Sequence, residues 1–195
     1  MTFRLGLTGS IGMGKSTTAA MFAAHGLPVW SADDAVHRLY APGGAAVAPL
    51  ATIFPDALQN QSLSRDVLRQ YIARDPTALP RLEAIVHPLV AADRARFIAA
   101  TQADIAVLDI PLLFENGTES QCDATLLVTA PAVLQRARVL ARPGMTEAHL
   151  QTILARQMPD GQKRSLATHI VETLDLSATN AYVSALITYI RANHA

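Results

Sequence analysis

The chain has 195 residues, half of them hydrophobic, with 16 basic and 16 acidic side chains and a formal net charge of zero. That length suits one domain with a smaller insertion, and that apolar content supports a real core. The charge balance offers no global basic field for nucleic acid. The apolar stretches stop short of a membrane span, and the single cysteine, Cys122, forms no internal disulfide.

Phe3, Leu5 and Leu7 alternate as in a first strand. Gly9-Ser10-Ile11-Gly12-Met13-Gly14-Lys15-Ser16 follows, a complete G-x-x-x-x-G-K-S phosphate loop, with Thr17 next. Its glycines let the backbone curl so that successive N–H groups point inward at phosphate oxygens. Lys15 can reach the β- and γ-phosphates, and the Ser16 hydroxyl can bind Mg²⁺. The expected contacts to a nucleoside triphosphate are therefore Gly9, Ile11, Gly12, Met13, Gly14, Lys15, Ser16 and Thr17. Lys15 to Ala24 lacks Gly and Pro and is rich in Ala, so a helix opens there and adds its positive end to the site. A loop so near the start leaves no room for a signal peptide, and with one cysteine it points to a reducing cytoplasm.

Leu27-Pro28-Val29-Trp30 reads as a second short strand, with Asp33 and Asp34 just beyond it. A carboxylate there either orients an attacking hydroxyl or caps the helix that begins near residue 34; the spacing leaves both open. Up to about residue 101 the chain reads helical. Val47, Leu50, Ile53 and Phe54 form one stripe, and Val67, Leu68, Tyr71 and Ile72 a second. Leu79, Leu82, Ile85 and Val86 form a third. Ser64 and Thr77 are candidate caps, and Pro42-Gly43-Gly44 and Asp75-Pro76 are breaks.

Ile105 to Ile110 is a near-continuous apolar run, typical of a buried parallel strand. Asp109 near its end falls on the edge where open α/β sheets bind ligands. There it could hold Mg²⁺ directly or through water; a helix cap or a solvated acid is the alternative. Cys122 reads as an ordinary small residue before the strand Ala124 to Val128, and Ile170-Val171 as a short last strand. Helical patterns lie at residues 131–141, 146–158 and 177–193. Strands alternating with helices imply a parallel sheet with right-handed crossovers, an α/β fold.

Arg138 and Arg142 share a helix face, with Gln135 and Arg136 beside them. An arginine fork suits the charge that phosphoryl transfer spreads over equatorial oxygens, and a solvated basic face is the plainer alternative. Lys163 and Arg164 read as surface charge. His25, His37, His149, His169 and His194 lack metal-ligand spacing and suit solvated or capping roles. There is no N-K-x-D guanine motif.

Taken together, these residues resemble the dephospho-CoA kinase family over residues 3–175 or so. The resemblance rests on Leu5 to Ser16, on Ala32-Asp33, and on Ile85-Val86-His87-Pro88. It rests further on Asp109-Ile110-Pro111-Leu112-Leu113-Phe114-Glu115, on Gln135, Arg138 and Arg142, and on Gln157-Met158 with Lys163. It departs at Ser31 and Thr168, where the family usually has Asp, and at Thr173, which stands near a usual Asn. The resemblance implies a phosphate loop kinase fold, a five-stranded parallel sheet flanked by helices. It implies a nucleotide core at about residues 1–32 and 102–195, a helical coenzyme-binding insertion at about 33–101, and a lid at about 139–158. It implies an alcohol-acceptor phosphotransferase that uses ATP and Mg²⁺ on dephospho-CoA to make CoA, with no nucleic acid or membrane partner. Asp33, Lys15 and Arg142 would be catalytic, and Arg138 would join the loop in holding ATP. Asp33, His87 and Leu113 would bind the acceptor, and Ser16 and Asp109 the metal. The other readings are a nucleoside or nucleoside monophosphate kinase of the same fold, and a regulatory module that binds ATP without transferring phosphate.

Overall fold

The computed structural model describes residues 2–194. In chain order the strands and helices are β1 (Phe3–Thr8), α1 (Lys15–Ala24), β2 (Val29–Ser31), α2 (Ala32–Tyr40) and α3 (Val47–Ile53). Then come β3 (Leu58–Gln59), β4 (Ser62–Leu63), α4 (Arg65–Arg74), α5 (Ala78–Ala100), β5 (Ile105–Asp109) and β6 (Ala124–Thr129). The chain ends with α6 (Ala132–Leu140), α7 (Glu147–Leu154), α8 (Asp160–Leu166), β7 (His169–Glu172) and α9 (Leu176–His194). It divides into two compact units, with the boundaries between Val29 and Trp30 and between Ala100 and Thr101.

A five-stranded parallel sheet runs in the order β2-β5-β1-β6-β7, and β5, β1, β6 and β7 lie in the first unit. Every residue of β5 and β6 is buried, which is why both read as largely apolar runs. Leu5, Leu7, Val107, Leu126 and Val128 pack with Ala19 and Phe22 of α1 and with Val183, Leu186, Ile187 and Ile190 of α9. β1 lies between β5 and β6, with Leu7 beside Asp109 on one side and Leu126 on the other. Chain order reverses about β1. Its C-terminal end is thus the switch point where open sheets of this kind bind ligands, and the phosphate loop leaves from there.

The second unit is helical, and α2, α3, α4 and α5 close around Leu39, Leu50, Phe54, Leu68 and Val86. The Phe54 and Tyr71 rings lie 5.1 Å apart, and Trp30 Nε1 donates to Asp93 Oδ1 at 2.8 Å. Ser64 caps α4 as expected, accepting from the Val67 N–H. The sequence reading has no strand here, yet β3 and β4 form an antiparallel hairpin. Asn60 and Gln61 both take positive φ, 50° and 64°, to make its two-residue turn. Such turns usually carry glycine, and none is present. The long α5 runs straight through Pro88. The helix expected at 146–158 is shorter and ends at Leu154, and α8 is an additional helix after Pro159. Thr146 does cap α7, accepting from the His149 N–H.

Candidate active site

The loop between β1 and α1 turns through two glycines in the left-handed region, Gly12 at φ +77° and Gly14 at φ +95°. Neither could carry a side chain. A Cβ on Gly12 would lie 3.0 Å from the Gln135 carbonyl oxygen, and one on Gly14 would lie 2.9 Å from Thr173 Oγ1. Side chains from far along the sequence hold the loop in this shape. The Ile11 N–H donates to Gln157 Oε1 at 3.1 Å, and Gln135 Nε2 donates to the Ile11 carbonyl at 2.8 Å. Thr173 Oγ1 donates to the Met13 carbonyl at 2.7 Å.

Lys15 opens α1, and its Nζ lies 2.6 Å from Asp109 Oδ1. Both side chains are nearly buried, so Asp109 is neither a helix cap nor a solvated acid. Ser16 and Thr17 are exposed on the first turn of α1. Oxygen donors of this type suit a hard divalent cation such as Mg²⁺.

A pocket of about 280 Å³ opens beside the loop. Its polar wall includes Thr17, Arg138, Arg142 and Asp175. Its apolar wall includes Met21, Leu174 and Leu176, the two leucines largely exposed. Arg138 donates a fork onto residue 173, Nη1 to Thr173 Oγ1 at 2.9 Å and Nη2 to the Thr173 carbonyl at 2.5 Å. Arg142 lies beyond the end of α6 and is exposed. Arg136 turns elsewhere and pairs with Glu147 at 2.8 Å. The expected arginine cluster therefore separates: Arg138 and Arg142 share the pocket, and Arg136 does not line it.

Four sequence expectations need correction. Neither Asp33 nor Asp34 caps α2, because Ser31 does so by accepting the Asp34 N–H at 3.2 Å, and both aspartates sit exposed in the first turn. Leu113 has no exposed surface and lies against Gly6, so its side chain is core and not a substrate contact. Lys163 is not surface charge: it is fully buried and pairs with Glu115 Oε1 at 2.8 Å. Glu115 Oε1 also accepts the Met158 N–H at 2.9 Å. His169 is not solvated but half-buried in β7 against the Tyr189 ring, and burial pushes its imidazole below the ordinary value. His87, in contrast, is exposed on α5. Arg164 is partly buried, held by Asp160 and Glu172.

A family model described as dephospho-CoA kinase matches residues 3–177. The chain belongs to the dephospho-CoA kinase family. A dephospho-CoA kinase of Cereibacter sphaeroides is 68% identical over 189 residues, covering 97% of this chain and 96% of that protein. One of Ruegeria pomeroyi is 55% identical over 194 residues, covering 100% and 98%. A crystal structure of a Thermus thermophilus protein superposes with a TM-score of 0.85 at 33% identity, covering 100% of this chain and 98% of that one. Asp109 and Glu115 bracket one short segment. Asp109 engages the loop lysine, and Glu115 anchors Met158 and Lys163. Sequence reasoning had no signal for Thr173 as a partner of Arg138, because 35 residues separate them. No helix among the described residues is long and apolar enough to cross a membrane.

Proposed function

We infer that this chain transfers the terminal phosphoryl group of ATP to the 3′-hydroxyl of dephospho-CoA, giving CoA and ADP, the last step of coenzyme A synthesis. The observation that carries the reading is the family match across residues 3–177, together with an intact loop whose Lys15 rests on Asp109. ATP would lie with its phosphates on the loop N–H groups and its base and ribose toward Met21, Leu174 and Leu176. Lys15 would leave Asp109 for the β- and γ-phosphates. Ser16 and Asp109 are the oxygen donors assigned to Mg²⁺, which supplies phosphate charge neutralisation when bound. Arg138 and Arg142 supply positive charge for the equatorial oxygens of the transferring group.

Asp33 is proposed as the carboxylate that orients the acceptor hydroxyl and takes its proton. What supports this is that Asp33 is exposed and released from capping by Ser31. His87 is proposed as an acceptor contact on α5. Residues 139–158 are proposed as a lid, with Gly144 at φ +73° providing the turn before α7. The setting proposed for this chemistry is the cytoplasm.

The test is ADP release from ATP with and without dephospho-CoA, followed by mass analysis of the product. CoA formation that depends on the acceptor is expected. Asp33→Asn should lower turnover by about 10²- to 10⁴-fold while ATP still binds, and Asp34→Asn should be mild. Faster ATP use with a nucleoside monophosphate than with dephospho-CoA would overturn the substrate assignment. Equal effects of the two substitutions would remove Asp33 from its role.

A further inference from the structure

We propose that Thr173 is a positioning residue for the nucleotide, a single hydroxyl that locks the Arg138 guanidinium to the phosphate loop. The inference rests on the nucleotide reading of the pocket above.

Thr173 lies just past the end of β7 and is only 6% exposed. Its backbone is fixed first, because the Thr173 N–H donates to the Thr129 carbonyl at the end of β6 at 2.9 Å. The side chain then has a defined direction. Its hydroxyl hydrogen goes to the Met13 carbonyl at 2.7 Å, within the loop, in preference to the Thr129 carbonyl at 3.3 Å. Its lone pair accepts from Arg138 Nη1 at 2.9 Å. A hydroxyl has one donor hydrogen and two acceptor sites, so Thr173 can serve both partners at once. The Thr173 carbonyl takes the second arm of the Arg138 fork. The residue therefore meets the planar guanidinium at two points, which fixes its orientation as well as its place.

The same side chain packs under Gly14. A Cβ built there would touch Thr173 Oγ1, Cβ and Cγ2 at 2.9, 3.2 and 3.2 Å. Thr173 thus contacts the loop at Met13 and Gly14, immediately before Lys15, and holds an arginine that lines the same pocket. Moving the hydroxyl would shift the loop and the arginine together. A residue that served only the core would need no polar partner on either.

The two roles separate in an experiment on the full chain. ATP affinity is measured by calorimetry with Mg²⁺ present, alongside kcat and KM with dephospho-CoA. Thr173→Val keeps the shape and removes the hydroxyl. It should weaken ATP binding about tenfold or more, because the hydrogen bond that orients the charged guanidinium is lost. Thr173→Ser should restore affinity to within about twofold of the native chain on the same reasoning, because it keeps the hydroxyl. In an Arg138→Ala background Thr173→Val should cost much less, because the shared partner is gone. If Thr173→Val fails to fold in a thermal melt, Thr173→Ala takes its place, since it also lacks a hydrogen-bonding side-chain atom.

Affinity within twofold of native for Thr173→Val, or for Thr173→Ala in its place, overturns the inference. So does a serine variant as weak as valine. A valine effect undiminished by Arg138→Ala also overturns it, and then leaves the nucleotide role of Arg138 standing. An Arg138→Ala protein that binds ATP like the native chain removes that role and the inference with it.

Discussion

The buried pair of Lys163 and Glu115 makes a quantitative prediction. The lysine side chain has no exposed surface, its carboxylate partner is 14% exposed, and Nζ to Oε1 is 2.8 Å. With an effective dielectric of about 20 the attraction at this separation is about 6 kcal/mol. Desolvation of the two ions costs several kcal/mol each, so the intact pair contributes little net stability. Removing one partner is different. Lys163→Met fills most of the volume with apolar atoms but leaves the Glu115 carboxylate buried without its cation. The expected loss is about 3–5 kcal/mol. For a chain of this size that lowers the melting temperature by roughly 6–20 °C, at 2–4 °C per kcal/mol. Glu115→Gln with Lys163→Met removes both charges and keeps an oxygen for the Met158 N–H. The double variant should recover much of the loss. The assay is thermal and urea unfolding of all four proteins at one pH. A single Lys163→Met variant within 2 °C of native, or a double variant less stable than both singles, would refute the reasoning.

Lys15→Ala should lower turnover by about two to three decades, the usual loss for an electrostatic group of about 3–4 kcal/mol in the transition state; near-native turnover in the coupled assay would contradict this. Arg142→Lys keeps the charge and loses the fork, so turnover should fall clearly while the melting temperature barely moves, because the side chain is exposed. Hydrogen exchange over residues 139–158 should slow when both substrates bind, and exchange that is already slow and unchanged, with full Arg142→Lys activity, would remove the lid. His169 has a folded pKa below its ordinary 6.5, chiefly through burial and also through repulsion from His194. The unfolded chain therefore binds this proton first, and the contribution of His169 to stability is complete above pH 6.5 and is lost as pH falls through the folded value. His169→Gln should flatten the fall in stability from pH 7 toward pH 5, as urea unfolding across that range would reveal; an unchanged slope would count against it.

The legible parts of this fold are those in which a local pattern decides the outcome. β5 and β6 are buried on both faces, so their apolar runs could be read directly. The caps Ser64 and Thr146 sit one residue before their helices, within reach of a local rule. The hairpin at Leu58 to Leu63 was hidden because Asn60 and Gln61 take positive φ without glycine. Lys163 looked like surface charge because nothing local reveals that Glu115, far back in the chain, waits for it in the interior. The phosphate loop itself is one continuous segment and announces its ligand. Its supports do not: Asp109, Gln135, Gln157 and Thr173 come 94, 124, 146 and 160 residues after their partners. Only the strand order, with β1 between β5 and β6, brings them to one edge.

That arrangement bears on how the proposed lid could work. The Ile11 backbone is held on both sides, its carbonyl by Gln135 of α6 and its N–H by Gln157 beyond α7. Gln135 is buried in the helix that precedes the Gly144 turn, so its bond persists whatever the lid does. Gln157 belongs to the segment that would move. Releasing it costs one hydrogen bond that water can replace, about 0.5–1.5 kcal/mol net. For this bond alone that is a few-fold to roughly tenfold in population. The heavier tether is at Met158, where the N–H meets the Glu115 carboxylate already bound to buried Lys163. If residues 139–158 move as the proposed lid, the hinge on that side would fall at residues 157–158 and not further along. Motion on the N-terminal side of Gln157 would release that bond, the exposed Arg136–Glu147 pair and the burial of Leu150, whereas motion beyond Met158 would break a buried ion pair.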